Sequence, residues 1–326
     1  MDHKPRLAVV MDPIAHIKYA KDSTLAMLLA AQARGFELHY LEQADLFVRD
    51  GRALGRSRPL TVRADPGSWF TLGEAAVQPL GGQGGFDAIL MRKDPPFDME
   101  FIYTTYILEL AEIQGAMVVN RPQGLRDMNE KVFTAWFPEC CAPTLITRDM
   151  KDMEAFLHEH GRIVCKPLHG MGGRAIFVIE QGDKNTNVIF ESQTKYGSEY
   201  AMVQRYIPDI VATGDSRVLL IDGEPVEHAL ARIPSASDNR GNLAAGAQGV
   251  GRPLNERDRW LASRIGPTLA KRGMLFVGLD VIGGFVTEIN VTSPTGIREL
   301  DKQFHTDIGG QFIQAVERRL AARGHH

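Results

Sequence analysis

Leu279-Asp280-Val281-Ile282-Gly283-Gly284-Phe285-Val286-Thr287-Glu288-Ile289-Asn290 is the stretch from which the second half of this chain is read. Two apolar runs flank a glycine pair, the pattern of a β-hairpin. The length of the turn decides where the acids point. A two-residue turn sets Asp280 opposite Thr287 and sends Glu288 to the other face. A three-residue turn with a left-handed glycine pairs Asp280 with Glu288 and keeps Asn290 on that face. Two carboxylates side by side across a strand pair repel unless a cation lies between them. Asp280, Glu288 and Asn290 would then supply hard oxygen donors of the kind that hold Mg²⁺ against nucleotide phosphates. A solvated hairpin is the competing reading, but Phe276, Val277, Leu279, Val281, Ile282 and Ile289 are too apolar for one that is wholly exposed.

Upstream lies a second hairpin pattern: Ile163-Val164-Cys165-Lys166-Pro167, then Gly170-Met171-Gly172-Gly173, then a strand expected over 174–179. Glycines let backbone N–H groups approach phosphate oxygens, and Lys166 adds a point charge. On its own this is equally an ordinary glycine-rich turn. The chain has neither Gly-x-x-x-x-Gly-Lys-Ser/Thr nor Gly-x-Gly-x-x-Gly, so P-loop and dinucleotide-binding folds fit poorly. The run 201–207 reads as an edge strand, followed by Gly214-Asp215. Arg217, Arg232, Arg240 and Arg298 each sit beside one of these segments, and arginine matches carboxylate and phosphoryl oxygens bidentately. The stretch 233–253, rich in Gly, Ala, Ser and Asn, reads as a long loop of the length used for lids.

The first 41 residues form a β-α-β pattern: an apolar run at 7–11, an N-cap at Asp22, a helix to Arg34, Gly35 past its end, and a strand to Leu41. A parallel sheet is implied. A turn at Asp50-Gly51, a glycine loop at 81–85 and a strand at 86–91 follow. The next helix shows Ile102, Tyr106, Leu110 and Ile113 on one face and ends at Gly115. A further helix is expected over 125–136, and a last one carries Ile313, Val316 and Leu320 in register.

The chain of 326 residues has a net charge of −3, which gives no reason to expect nucleic acid or an anionic membrane as partner. No apolar run reaches the roughly 18 residues of a spanning helix. Cys140, Cys141 and Cys165 read as reduced thiols, the first two being adjacent. A cytoplasmic home is expected from these features.

Together these segments resemble the prokaryotic glutathione synthetase family of the ATP-grasp superfamily. The resemblance is carried by Val10-Met11-Asp12-Pro13-Ile14, Met91-Arg92-Lys93-Asp94-Pro95-Pro96-Phe97-Asp98, Asn129-Glu130-Lys131-Val132-Phe133-Thr134-Ala135-Trp136, the Lys166 hairpin, Ala231-Arg232-Ile233-Pro234, Arg240-Gly241-Asn242-Leu243-Ala244-Ala245-Gly246 and Thr287-Glu288-Ile289-Asn290-Val291-Thr292-Ser293-Pro294-Thr295. It implies an α/β fold: an N-terminal parallel-sheet domain (1–123), then an ATP-grasp domain, α+β in character, made of a subdomain with the glycine loop (124–199) and one with the metal site and lid 233–248 (200–326). It implies ATP-dependent joining of γ-glutamylcysteine to glycine through an acyl phosphate, with ATP and Mg²⁺ as cofactors, Mn²⁺ as an alternative ion, and a homotetramer. Carried over residue by residue, it gives ATP contacts to Lys131, Lys166, Gly170, Met171, Gly172, Gly173, Gln204, Arg205, Tyr206, Ile207 and Asp215. Asp280, Glu288 and Asn290 are the metal positions, and Arg217 and Arg232 the catalytic ones. Arg92, Arg240, Asn242, Ser293 and Arg298 are given to the peptide substrate. Two other readings stay open at this point: a different ATP-grasp ligase, joining D-alanines or adding glutamate, and a non-catalytic ATP-binding regulator of the same fold.

Overall fold

The computed structural model describes residues 4–170, 175–233 and 248–323. Three sheets organise them. In the first, Glu37–Leu41, Arg6–Val10, Ala88–Met91 and Met117–Val119 run parallel in that spatial order, as the β-α-β pattern requires. The long strand Arg52–Val62 extends the sheet antiparallel beyond Glu37–Leu41. It also pairs with Leu46–Arg49, Phe70–Leu72 and Ala76–Pro79. Asp22 caps the helix Ser23–Ala33 by accepting the Leu25 N–H at 2.6 Å. Against that helix packs the last one, Ile308–Arg323. A Cβ at Gly309 would sit 2.8 Å from the Ala26 carbonyl, so the two helices touch backbone to backbone there.

The helix Met99–Ile113 corrects one expectation. It buries Phe101, Thr104, Thr105, Leu108 and Ala111, whereas Tyr106 and Ile113 face outward. The 3.6-residue period had two candidate faces, and the more apolar one is not the buried one. The helix expected over 125–136 is broken. Pro122–Asp127 is helical, and a separate 3-10 turn spans Val132–Trp136. Asn129 makes the break, because its Oδ1 accepts the N–H groups of both Lys131 and Val132 at 3.0 Å.

The second sheet is antiparallel, in the order Phe177–Glu180, Arg162–Pro167, Ala201–Arg205, Thr144–Thr147. The run at 201–205 is therefore an inner strand, not an edge. It belongs with the strands before it, beyond the division placed at 199/200. The strand expected from 174 begins at Phe177. Helices Met150–His160 and Thr186–Thr194 cover this sheet with a core of their own: Met153, Leu157, Ile163, Cys165, Ile179, Phe190, Ala201 and Val203.

The third sheet is antiparallel too, in the order Gln248–Pro253, Glu224–Ile233, Asp215–Ile221, Phe276–Ile282, Phe285–Asn290. Residues 248–253, expected as loop, are a strand because they complete pairing with Glu224–Ile233. The remainder of the lid stretch, 234–247, lies outside the described residues. The core of this sheet is continuous with that of the first: Val10, Ile89, Val118, Val218, Leu279 and Ile289 share one cluster. Asn120 bolts the two together, its Nδ2 donating to the carbonyls of Phe276 and Val291 at 2.7 Å while its Oδ1 accepts the Phe276 N–H at 3.0 Å. Thus the chain has one large body, the first and third sheets, and a smaller jaw with a separate core facing it.

Candidate functional site

The hairpin Phe276–Ile282 / Phe285–Asn290 brings Asp280 opposite Glu288, as the metal reading demands, but by another route. The turn has two residues, Gly283 and Gly284, both left-handed at φ 56° and 78°. The register then shifts at a β-bulge between Asp280 and Val281, so Thr287 is left over and Glu288 falls across from Asp280. The extra residue has a use. The Thr287 hydroxyl donates to the Asp280 carbonyl at 3.2 Å, and the Thr287 carbonyl accepts the Lys166 ammonium at 3.3 Å from the opposite jaw.

Asp280 lies between two buried arginines. The Arg217 Nε donates to Oδ1 at 2.5 Å and its Nη2 to Oδ2 at 3.1 Å. The Arg232 Nη2 stands 2.8 Å from Oδ2. Burial alone would raise the Asp280 pKa, but Arg217 and Arg232 outweigh it and hold the carboxyl well below the usual range. The neighbouring strand positions explain the convergence, since Arg217 pairs with Asp280 and Asp215 with Arg232. Asp215 accepts Arg232 Nη2 at 2.5 Å. Its other oxygen is buried with no partner, and burial pushes its pKa up to about 7 against the pull of Arg232.

Two lysines reach in from the other side. Lys166, on Arg162–Pro167, is buried and donates to the Thr287 carbonyl at 3.3 Å, and burial lowers its pKa against the pull of Glu288. Lys131 is not on an α-helix but at the entry of the 3-10 turn. It bonds to Glu130, donates to the Gly170 carbonyl at 3.2 Å, and lies 3.5 Å from Glu288. Burial would lower its pKa, yet Glu288 and Glu130 raise it. Asn129 donates to the Leu168 carbonyl at 3.1 Å, and Ile289 N–H donates to the Glu130 carbonyl at 2.8 Å. The turn at 129–132 is thereby stapled to the glycine-loop strand and to the Asp280–Glu288 hairpin at once. Sequence reasoning missed Glu130 as a site residue. Its carboxyl is raised by burial and by Glu288, and its place between Asn129 and Lys131 was the available signal.

The other expected residues divide. Gln204 is buried and donates to the Thr144 hydroxyl at 2.8 Å, Arg205 crosses to the Phe285 ring at 5.8 Å, and the Arg162 guanidinium covers the Tyr206 ring at 3.9 Å. Ile207 lies against Gly283, where no side chain has room. Gly170 is left-handed at φ 98°, and Met171, Gly172 and Gly173 lie outside the described residues, as do Arg240 and Asn242. Arg92 is buried in the body. It donates to the Thr24 hydroxyl at 3.0 Å and the Pro294 carbonyl at 2.9 Å, and Ser293 donates to its carbonyl at 3.3 Å. Burial lowers the Arg92 pKa to about 10. This pair joins the first sheet to the segment after the Asp280–Glu288 hairpin.

Among the described residues no three His, Cys, Asp or Glu side chains gather as a metal nest. The donor set here is two carboxylates and an amide. It fits a hard divalent cation on one count: a carboxylate has about four acceptor positions and the arginines occupy three of those on Asp280, so one stays open.

Comparison with known proteins agrees with this layout. A family model described as prokaryotic glutathione synthetase, ATP-grasp domain, matches residues 130–305, and one for the N-terminal domain of prokaryotic glutathione synthetase matches residues 6–126. A glutathione synthetase of Pseudomonas putida is 57% identical over 318 residues, covering 98% of this chain and 99% of its own. One from Pseudomonas aeruginosa is also 57% identical, with the same coverage. The crystal structure of D-cycloserine synthetase matches with a TM-score of 0.68 at 15% identity, over 97% of this chain and 99% of that one, a likeness of fold alone.

Proposed function

Because the chain belongs to the prokaryotic glutathione synthetase family, it is an ATP-dependent ligase that joins a carboxylate to an amine, and we propose that it makes glutathione from γ-glutamylcysteine and glycine with the following division of labour. The observation that carries the assignment is the buried Asp280, set across from Glu288 by the bulge and held by Arg217 and Arg232.

The nucleotide lies between the jaw and the body. Lys131, Lys166 and the loop beginning at Gly170 take its phosphates, and the segment Gln204-Arg205-Tyr206-Ile207 takes its base. Asp280, Glu288 and Asn290 hold Mg²⁺, with Mn²⁺ as substitute, which neutralises charge on the phosphates. The peptide's cysteinyl carboxylate attacks the γ-phosphorus, giving an acyl phosphate and ADP, and the amine of glycine displaces phosphate. Charge grows on the carbonyl oxygen during that displacement, and Arg217 and Arg232 are the buried donors beside it. Lys166, with its pKa lowered and one weak carbonyl partner, is poised to gain most from an incoming anion. Asp215, expected at the ribose, stands close to Arg232 and helps to fix it. No helix among the described residues is long and apolar enough to cross a membrane. A homotetramer is part of the same proposal.

The test is direct. The purified chain should form glutathione, ADP and phosphate from γ-glutamylcysteine, glycine and ATP when Mg²⁺ is present, and none when it is chelated. Product from paired D-alanines, or from glutamate and another acceptor, with none from γ-glutamylcysteine, would replace this reading by another ligase of the same fold.

A further inference from the structure

An ammonium group carries three hydrogens, and a buried one has to place all three. Lys131, 3% exposed, places them on the Glu130 carboxylate, on the Gly170 carbonyl at 3.2 Å, and towards Glu288 Oε1 at 3.5 Å. Glu288 is therefore shared. It stands across from Asp280, where the divalent ion is expected, and it also holds Lys131. A carboxylate bound to a divalent ion has less charge to offer an ammonium beside it, and the ion repels that ammonium. Glu288 is the most distant of the three partners and the one that metal loading weakens.

The backbone around Glu130 is fixed on both sides. Its carbonyl accepts the Ile289 N–H at 2.8 Å, next to Glu288 on the hairpin. Asn129 Oδ1 accepts the N–H groups of Lys131 and Val132 at 3.0 Å, and the Thr134 hydroxyl donates to the Lys131 carbonyl at 2.6 Å. The main chain of Lys131 is thus pinned, and the freedom of its ammonium lies in the four-carbon stem. What holds that stem once Glu288 is engaged is the acid one residue back. Among the described residues no third acid gathers with Asp280 and Glu288 as a metal nest, so the Glu130 carboxylate serves the lysine and not the ion.

We propose that Glu130 is a positioning residue, which keeps the Lys131 ammonium at the start of the glycine loop while Glu288 is given over to the metal. The proposal rests on the ligase reading above and deepens it, tying the phosphate lysine to the metal site through one shared acid. With Glu130 in place, Lys131 keeps two of its three partners, and the hydrogen released by Glu288 is free for a nucleotide phosphate. Without Glu130, the lysine and the ion compete for Glu288, and each weakens the other's hold. Glu130 acts on the nucleotide only through Lys131.

The probe is β,γ-imido-ATP, a non-hydrolysable analogue, titrated calorimetrically into the full chain with Mg²⁺ and with neither peptide nor glycine. Glu130→Gln should weaken its binding roughly 10–100-fold, the usual cost of removing a supporting acid behind a metal or phosphate contact. Lys131→Met should weaken binding as well. Adding Glu130→Gln to Lys131→Met should then cost no more than about 3-fold further, because the residue through which Glu130 acts is gone. Glu130→Asp keeps the charge and shortens the reach by one methylene. It should show a smaller loss that Lys131→Met likewise abolishes, and it carries the test if the glutamine variant does not fold. Unchanged binding in the folded Glu130 variants would overturn the proposal. So would a loss that persists in full beside Lys131→Met, which would set Glu130 to work on the ion or on the fold. Failure of the unmodified chain to bind the analogue would instead bring down the nucleotide site itself, and this role with it.

Discussion

The jaw and the body meet the same cleft with opposite electrostatic habits. On the body, Asp280 is buried but paired with both Arg217 and Arg232, and its carboxyl is held down. On the jaw, Lys166 is equally buried, has one hydrogen bond among the described residues, to the Thr287 carbonyl, and is pushed towards its neutral form. The same contrast separates Lys131, raised by Glu288 and Glu130, from Lys166. It also separates Asp280 from Asp215, which is raised to about 7. Compensated charges are already stabilised before anything binds, and less compensated ones are where a ligand's charge is worth most, because desolvation has already been imposed by the fold. The mechanical contrast runs in parallel: the body shares one core across two sheets, and the jaw has its own.

The sharpest way to break this comparison is Asp280→Ala. It leaves the buried Arg217 without its carboxylate and Arg232 with Asp215 in place of two acids, and removing one partner of a buried ion pair costs about 3–5 kcal/mol. Urea denaturation of the metal- and nucleotide-free protein should show a loss of that size. A loss below about 1 kcal/mol would mean that the arginines are held by other groups. Next comes Arg232→Ala, which should lower turnover by roughly 10²–10³ while the protein stays folded. Near-normal turnover would remove Arg232 from the reaction.

Asp215→Asn tests the uncompensated side. A carboxyl whose folded pKa lies above its unfolded value stabilises the fold only while it is protonated. The stability it gives is therefore lost as pH rises from about 4 through about 7. In metal-free protein the thermal midpoint should fall over that range, and Asp215→Asn should flatten the fall. An unchanged slope in the variant would place the titration elsewhere.

The chemistry of the third sheet was legible because it is written in local spacing. Asp280 falls across from Glu288 as expected. The route was not legible, since a two-residue turn plus a bulge and a three-residue turn give the same pairing from the same letters. Sheet order was hidden for a different reason: Ala201–Arg205 becomes an inner strand through long-range partners that no local period records. The break at Asn129 was missed because the apolar pattern of 125–136 suits a helix, and only a side chain competing for backbone N–H groups ends it. Tertiary packing also chose the buried face of Met99–Ile113 over its more apolar one.

The smallest effect belongs to a pair outside the cleft, and it serves as the control for the whole comparison. Arg34 holds Glu317 bidentately, Nε to Oε1 at 2.9 Å and Nη2 to Oε2 at 2.6 Å, joining the helices Ser23–Ala33 and Ile308–Arg323. Its geometry is as good as that of Arg217 on Asp280, but it sits at the surface. If geometry set the strength of these pairs, both would matter alike. If burial does, as argued here, water and salt should screen the outer pair almost completely. A double-mutant cycle on Arg34→Ala and Glu317→Ala, read from urea midpoints, should give a coupling that is slight at low ionic strength and indistinguishable from zero in about 1 M salt. A salt-resistant coupling at this site would show that bidentate geometry alone suffices, and the buried arginines around Asp280 would lose their special standing.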